Sequence, residues 1–306
     1  MDTIEQAAKR LEQLRRAGVD VAEPVVSQSP HVAEPLVQAT QAVRSVNTEK
    51  AVSQSRSVEL DMALLALNGV ITPNGARSEV AEEMRVIKRP LLANIAGKSA
   101  APIKDANLIM VTSAVPGEGK TTTSINLAMS IAMELDHTVL LVDADVARPS
   151  VPGVLGIEPQ RGLLDLLLDD KLELGDVLLR TNVEKLSILS AGTQHPRATE
   201  LLASESMYNL LLNMANRYSD RVIIFDSPPL LVTTEARALA THMGQVVLVV
   251  RAESTTHAEV KAAVAALAAC PVKMVLLNQA TSSFGTGYGY GYGYGYGQAD
   301  PPRKAE

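Results

Sequence analysis

Between Val111 and Thr123 the chain reads VTSAVPGEGKTTT, a short apolar strand followed by a glycine turn and then Lys120-Thr121. Strand, glycine loop and helix in that order make a phosphate cradle. They commit the surrounding chain to an open α/β sheet. In AVPGEGKT the closing Gly119-Lys120-Thr121 fits the nucleotide-binding pattern, while Ala114 stands where a first glycine is usual. An alanine serves there as long as its φ stays negative. Gly117 and Gly119 let backbone N–H groups close around a β-phosphate, and the helix opening at Lys120 adds its positive end. Lys120 is placed to reach the β- and γ-phosphates, and the Thr121 hydroxyl to ligate Mg²⁺. The nucleotide-binding set is therefore Ala114, Pro116, Gly117, Glu118, Gly119, Lys120, Thr121 and Thr122.

Apolar runs at 107–113, 138–143, 186–190, 221–226, 245–251 and 272–278 read as strands. Most are continuous Val/Ile/Leu segments, which suits strands buried on both faces of a parallel sheet. Helices are expected from Lys120 to about Leu135 and near 204–218, 233–242 and 255–269. The predicted fold is a mostly parallel sheet covered by helices on both faces, of the P-loop nucleotide-hydrolase type. Two of these strands end in acids: VLLVDADVARP carries Asp143 and Asp145, and VIIFDSPP carries Asp226. Ligands in open α/β sheets bind at the carboxyl ends of strands, so the three acids should converge on the phosphate loop. A hard cation takes oxygen ligands, so Thr121, Asp143, Asp145 and Asp226 form the candidate metal set. Asn278 closes the last strand on the same edge and joins the nucleotide-binding set.

Far from the loop, Gly287 to Gly297 alternates Gly and Tyr, carrying Tyr288, Tyr290, Tyr292, Tyr294 and Tyr296. Five of the seven tyrosines lie there; with two Phe and no Trp, the core must be built from aliphatic residues and Met. Gly-Tyr repeats bury little and lose much backbone entropy on ordering, so 284–306 is expected to be a disordered tail. From Phe284 to Gly297 it can extend on the order of 40 Å. Self-association through the aromatics is the alternative use of such a tail.

The single cysteine, Cys270, excludes an intramolecular disulfide and reads as a buried packing residue of a reducing compartment. A net charge of −6 argues against broad nucleic-acid binding. No apolar run approaches the roughly 18 to 20 residues that span a bilayer. The opening MDTIEQAAKRLEQLRR lacks the apolar stretch of a signal peptide, which points to the cytoplasm.

Residues 1–17 hold an amphipathic helix with Ile4, Ala7, Ala8, Leu11 and Leu14 on one face. Residues 18–57 repeat VAEP and VSQS without helical or strand period and read as a flexible linker. The main domain is set at 58–283. Within it 59–72 is apolar enough to pack, and a helix near 78–96 begins with Ser78 as N-cap. Glu82, Arg85 and Lys88 fall on neighbouring turns of one face of that helix, and Pro90 complicates its continuation.

Together these motifs resemble the bacterial tyrosine kinases, P-loop autokinases unrelated in fold to eukaryotic protein kinases. The resemblance covers about residues 78–297. Ala114–Thr121 matches the family's Walker A, Val139–Arg148 its Walker A′, and Val222–Pro229 its Walker B, ending Asp226-Ser227-Pro228-Pro229. Tyr288 through Tyr296 correspond to the family's tyrosine cluster, and Glu82, Arg85 and Lys88 approximate its E-x-x-R-x-x-R oligomerisation helix. The tail and EEMRVIKRPLLANI look most like stand-alone autokinases encoded with exosortase and exopolysaccharide systems. Walker A′ departs from D-x-D-x-R: Ala147 holds the arginine position and Arg148 follows it.

The resemblance implies an ATP- and Mg²⁺-dependent kinase that phosphorylates its own tail tyrosines and regulates exopolysaccharide synthesis or export. Catalysis falls to Lys120, Asp143 and Asp145. Asp143 would accept the tyrosine proton or hold a metal-bound water, Asp145 would assist with the metal, and Asp226 would hold Mg²⁺ through an intervening shell. The implied partners are other copies, through the Glu82/Arg85/Lys88 helix, a membrane activator of the chain-length-determinant type that recruits the kinase to the membrane's inner face, and a phosphotyrosine phosphatase. Two other readings share the motifs. One is an ATPase switch of the Min/Par type, which would carry a second lysine where Val115 stands; the other is a nucleotide-gated scaffold without phosphotransfer.

Overall fold

The computed structural model describes residues 56–217 and 220–280. The expected N-terminal helix, most of the linker and the tyrosine tail lie outside the described residues. In chain order the elements begin β1 (Arg56–Val58), α1 (Met62–Leu67), α2 (Glu79–Ile95), β2 (Leu108–Ser113), α3 (Lys120–Ala132) and β3 (Thr138–Asp143). Three short helices follow, α4 (Val151–Leu155), α5 (Leu163–Leu168) and α6 (Leu174–Val177), then β4 (Leu179–Thr181) and β5 (Leu186–Leu189). The last third holds α7 (Ala198–Leu202), α8 (Glu205–Arg217), β6 (Arg221–Asp226), α9 (Thr234–Ala240), β7 (Gln245–Arg251), α10 (His257–Ala266) and β8 (Val272–Asn278).

The strands form one sheet in the order β1-β4-β5-β3-β6-β2-β7-β8. Every neighbouring pair is parallel except β4 with β5. Alternate residues of β2 face opposite layers. Leu108 and Met110 pack with Met207, Leu211 and Leu239 on one face, while Ile109 and Val111 pack with Leu91, Ile125 and Met129 on the other. Double-sided burial explains why these strands read as unbroken apolar runs. All six expected strands and the expected helices of the domain are present.

β1 and β4 were not legible. Each is three residues long and lies toward one edge of the sheet, too short for a period to show. The sequence ends the linker at residue 57, whereas Arg56–Val58 already pair in register with Leu179–Thr181. The linker boundary is corrected accordingly.

Helix α2 starts where its cap predicts, with Ser78 Oγ accepting the Ala81 N–H at 3.2 Å. Pro90 does not stop it. Leu91 and Leu92 are buried on α3's side, and the fully buried Gln245 holds the last turn. The Gln245 amide donates to the Leu91 carbonyl at 3.2 Å and accepts from Asn94 at 2.7 Å.

The face assigned to contact between copies is split. Glu82 and Arg85 pair at 2.7 Å on the exposed side, each half accessible. Lys88 turns inward and is only 4% exposed. Its ammonium donates to the Ser130 carbonyl at 2.6 Å and pairs with Glu134 at 2.7 Å. That bond to Lys88 also holds the Glu134 carboxyl below its ordinary range. Lys88 is therefore removed from the surface through which copies could meet, because its stem reaches down to α3.

Replacing each cation separates the two roles. Lys88→Ala should cost on the order of 2 kcal/mol, since it strands a carbonyl and a carboxylate at a buried contact. Arg85→Ala should change stability by less than about 0.5 kcal/mol. Parallel urea titrations of the two variants measure the difference, and equal costs would contradict the buried Lys88 contact.

Candidate nucleotide and phosphotransfer site

Register brings the three acids to one edge. β3 and β6 pair Asp143 directly opposite Asp226, and Val111 of β2 pairs with Asp226 from the other side. The phosphate loop leaves β2 two residues beyond that point, after Ser113, and enters α3 at Lys120. Gly117 and Gly119 sit at φ +85° and +91°, conformations that side chains resist. At Gly119 a Cβ would stand 2.2 Å from the Asn278 amide nitrogen. Ala114 is fully buried and is not among the positive-φ residues, so alanine serves in the place of glycine.

The first turn of α3 is fastened to Asp226. The Thr121 hydroxyl donates to one carboxylate oxygen at 2.7 Å and the Ser124 hydroxyl to the other at 3.0 Å. Ser150 joins through a 2.9 Å hydroxyl–hydroxyl contact with Thr121. The Lys120 ammonium bonds Asp145 at 2.8 Å and lies 4.0 Å from Asp226. Ser124 and Ser150 were not singled out from the sequence. Ser124 falls three residues after Thr121, on the same helix face, which was the available signal.

Asp143 is placed as expected but faces inward, with no exposure. Its carboxylate accepts the N–H groups of Asp145, Ser150 and Val151 at 3.0–3.2 Å. Burial pushes its pKa up to about 7, with the negative charge of Asp226 adding to the rise and the Val151 N–H opposing it. Burial also raises Asp226, against the pull of Lys120 and the two hydroxyls.

Lys120, Asp145, Ala147, Arg148 and Ser150 line a cleft of about 460 Å³ whose other wall includes Pro116, Gly117, Pro228 and Pro229. Arg148 thus reaches the cleft despite its shift by one position. Thr122 is exposed beside it.

Glu118 has a different task from the one its place in the loop suggests. Its side chain is buried and points away from the cleft, accepting from the N–H groups of Val115 at 2.8 Å and Arg251 at 3.3 Å and from the Thr255 hydroxyl. Asn278 donates to the Glu118 carbonyl at 2.9 Å. The loop is thereby held to the ends of β7 and β8.

The donors fit Mg²⁺. All are hydroxyl or carboxylate oxygens, and no group of three or more His, Cys, Asp or Glu among the described residues is arranged to hold a metal alone. Hydroxyl and carboxylate oxygens are the ligands that a hard cation takes. No helix among the described residues is long and apolar enough to cross a membrane.

Residues 106–268, more than half of the chain, match the family described as the AAA domain. The chain is similar to the tyrosine-protein kinase YwqD of Bacillus subtilis strain 168, 35% identical over 167 residues, covering 55% of this chain and 69% of YwqD. Among solved structures it is similar to the kinase domain of VpsO, with a TM-score of 0.53 and 32% identity over 67% of this chain and 100% of that one. The kinase domain of the Escherichia coli tyrosine kinase ETK gives a TM-score of 0.56 and 25% identity, covering 80% and 96%.

The raised pKa of Asp143 has a sign that can be measured. Between the unfolded value of 3.8 and about 7, the native state keeps a proton that the unfolded chain has released. This group's contribution to stability is full below 3.8 and is lost as pH rises through 7. Without metal or nucleotide, the wild-type protein should lose stability from pH 5 to 8 relative to Asp143→Asn, which has no proton to release. Denaturant titrations of both proteins across that range test it; parallel pH profiles would contradict the assigned burial effect.

Proposed function

The chain belongs to the AAA domain family and is a bacterial protein-tyrosine kinase; on that premise we propose that it moves the γ-phosphoryl group of ATP onto the tyrosines of its own tail. The observation that carries this reading is the position of Asn278. The last strand ends with its amide on the phosphate loop, so the chain that leads to Tyr288 starts from the lip of the cleft. No distance beyond the reach of an extended tail separates acceptor from donor.

In this reading Ala114, Pro116, Gly117, Glu118, Gly119, Lys120, Thr121, Thr122 and Asn278 hold the nucleotide, the loop residues chiefly through backbone groups. Thr121, Asp143, Asp145 and Asp226 would hold Mg²⁺, directly or through water, and the ion would offset the negative charge of the phosphates. Lys120 exchanges its contact with Asp145 for the β- and γ-phosphates. Asp145 is then released toward the acceptor. A tyrosine hydroxyl with a pKa near 10 must give up its proton as the bond to phosphorus forms. Asp145 faces the cleft to assist, and the family resemblance gives Asp143 the role of taking the proton or holding the water that carries it. Arg148 supplies, from its shifted position, positive charge at the cleft wall. Positioning and electrostatics carry the rate.

The family resemblance further assigns the kinase to control of exopolysaccharide synthesis or export. It acts from the cytoplasm at the inner face of the membrane, with a membrane activator of the chain-length-determinant type and a phosphatase that resets the tail. Contact between copies uses what α2 leaves outside: Glu82, Arg85 and the 73%-exposed Val86.

Lys120→Met should remove tail phosphorylation by at least about 100-fold while leaving the fold intact. Peptide mass spectrometry after incubation with Mg-ATP reads it directly, and an undiminished phosphotyrosine signal at saturating ATP rejects the assignment. Transfer between copies is tested by mixing Lys120→Met protein with an active copy truncated after residue 283. The inactive copy's tail should gain phosphate; its failure to do so with the activator present rejects transfer in trans.

A further inference from the structure

The carboxyl edge of the sheet holds a second cavity, of about 630 Å³, beside the nucleotide cleft. One short segment separates them. Ala147, Arg148 and Ser150 face the cleft, while Pro149, Pro152 and Gly153 line the second cavity. Asp143 anchors this shared wall through the N–H groups of Ser150 and Val151. Ser190 follows the β5 residue that pairs with Val142, so the cavity stands about one strand spacing, ~4.8 Å, from the Asp143 strand.

Its chemistry is specific. Pro149, Pro152, Ile157 and Pro159 offer apolar surface, three of them as compact rings that can pack against an aromatic face. The lining also holds Gln160, Thr193 and Gln194, whose side chains offer polar groups that a ligand hydroxyl can meet. An apolar ring carrying one hydroxyl meets both demands.

We propose that this cavity is a docking subsite for a second tyrosine of the segment 287–297 of this chain, engaged while another tyrosine of that segment occupies the cleft. The inference rests on the tyrosine-kinase reading and adds to it how the acceptor is chosen. In an extended strand, residues two apart lie on the same side, separated by about 6.6 Å. The Gly-Tyr alternation therefore presents a row of equivalent phenols, and its glycines let the chain pass close over the shared wall. The segment begins nine residues after Asn278, which itself rests on the phosphate loop.

A phosphorylated tyrosine would carry about −1.5 to −2 charges into a cavity whose described lining includes no Lys or Arg, so the subsite selects unmodified tyrosines. Each transfer then removes one possible anchor, and the tail loses affinity as it fills. This gives the repeat a purpose that a single tyrosine could not serve.

Gly153 provides the test, because a Cβ added there meets nothing within 4 Å. Gly153→Leu should fill the cavity without displacing the backbone. The full chain with all five tail tyrosines replaced by alanine removes internal competition. Fluorescent GYGYGYGYGYG and GAGAGYGAGAG peptides are titrated against it by anisotropy with Mg-ADP present. The five-tyrosine peptide should bind at least about 20-fold tighter, beyond the fivefold that counting tyrosines allows. Gly153→Leu should reduce that advantage to fivefold or less, with Mg-ADP affinity unchanged. Should Gly153→Leu misfold by circular dichroism, Pro159→Glu, at an exposed rim position, should give the same loss. Wild-type discrimination of fivefold or less, or discrimination untouched by a folded wall variant, overturns the proposal. Transfer of labelled phosphate to both peptides is read in parallel. Transfer that ignores Gly153 overturns docking alone, whereas Gly153-dependent binding without transfer overturns the kinase reading and supports docking.

Discussion

One buried carboxylate sets the geometry of the cleft. Asp226 has no solvent exposure, and both of its oxygens are taken by hydroxyls from the first turn of α3. Without those donors and the nearby ammonium of Lys120, a charge in that position would carry a large desolvation penalty. The contact therefore fixes the helix to the end of β6. Asp143 faces Asp226 across the strand pair and fixes the following segment through three N–H groups. Loop, helix and wall are placed by two acids, both raised in proton affinity by burial, with the charge of Asp226 adding to the rise at Asp143.

Much of this was legible because buried parallel strands leave a strong pattern. Continuous runs such as VLLVD and VIIFD place their terminal acids at the carboxyl edge, and the glycine loop marks the strand that carries the phosphate site. What escaped reading had no period or motif. β1 and β4 are three residues long. Gln245, a buried amide that joins α2 to the start of β2 through the Ala106 carbonyl, looks in sequence like the polar start of a strand. Ser124 and Ser150 are ordinary serines until the fold brings them to Thr121. Glu118 belongs to the loop pattern, yet no pattern states that its side chain turns inward to Thr255.

Lys88 shows why spacing does not settle direction. Three-residue spacing puts Glu82, Arg85 and Lys88 on adjoining turns, but an i, i+3, i+6 series drifts around a helix of 3.6 residues per turn. That drift takes Lys88 to the boundary with α3. There, a compact ammonium meets one carbonyl and one carboxylate, geometry that suits lysine better than the planar fork of arginine. The departure from E-x-x-R-x-x-R is thus matched by an internal role. The surface left to a neighbour is smaller and less charged than the motif implied.

The deepest link between sequence and mechanism lies where β8 ends. Asn278 bonds the carbonyl of Glu118, and Gln279, at φ +55°, approaches the carbonyl of Gly117. Glu118 meanwhile bonds the Arg251 backbone and Thr255. The phosphate loop is consequently braced by the same residues from which the tyrosine segment departs. Asn278 is itself fixed in the sheet, paired with Arg251 and accepting the Ala252 N–H at 2.9 Å, so the loop rests on an anchored strand end. The phosphate loop and the strand end that leads on toward Tyr288 thus meet at the same few polar groups.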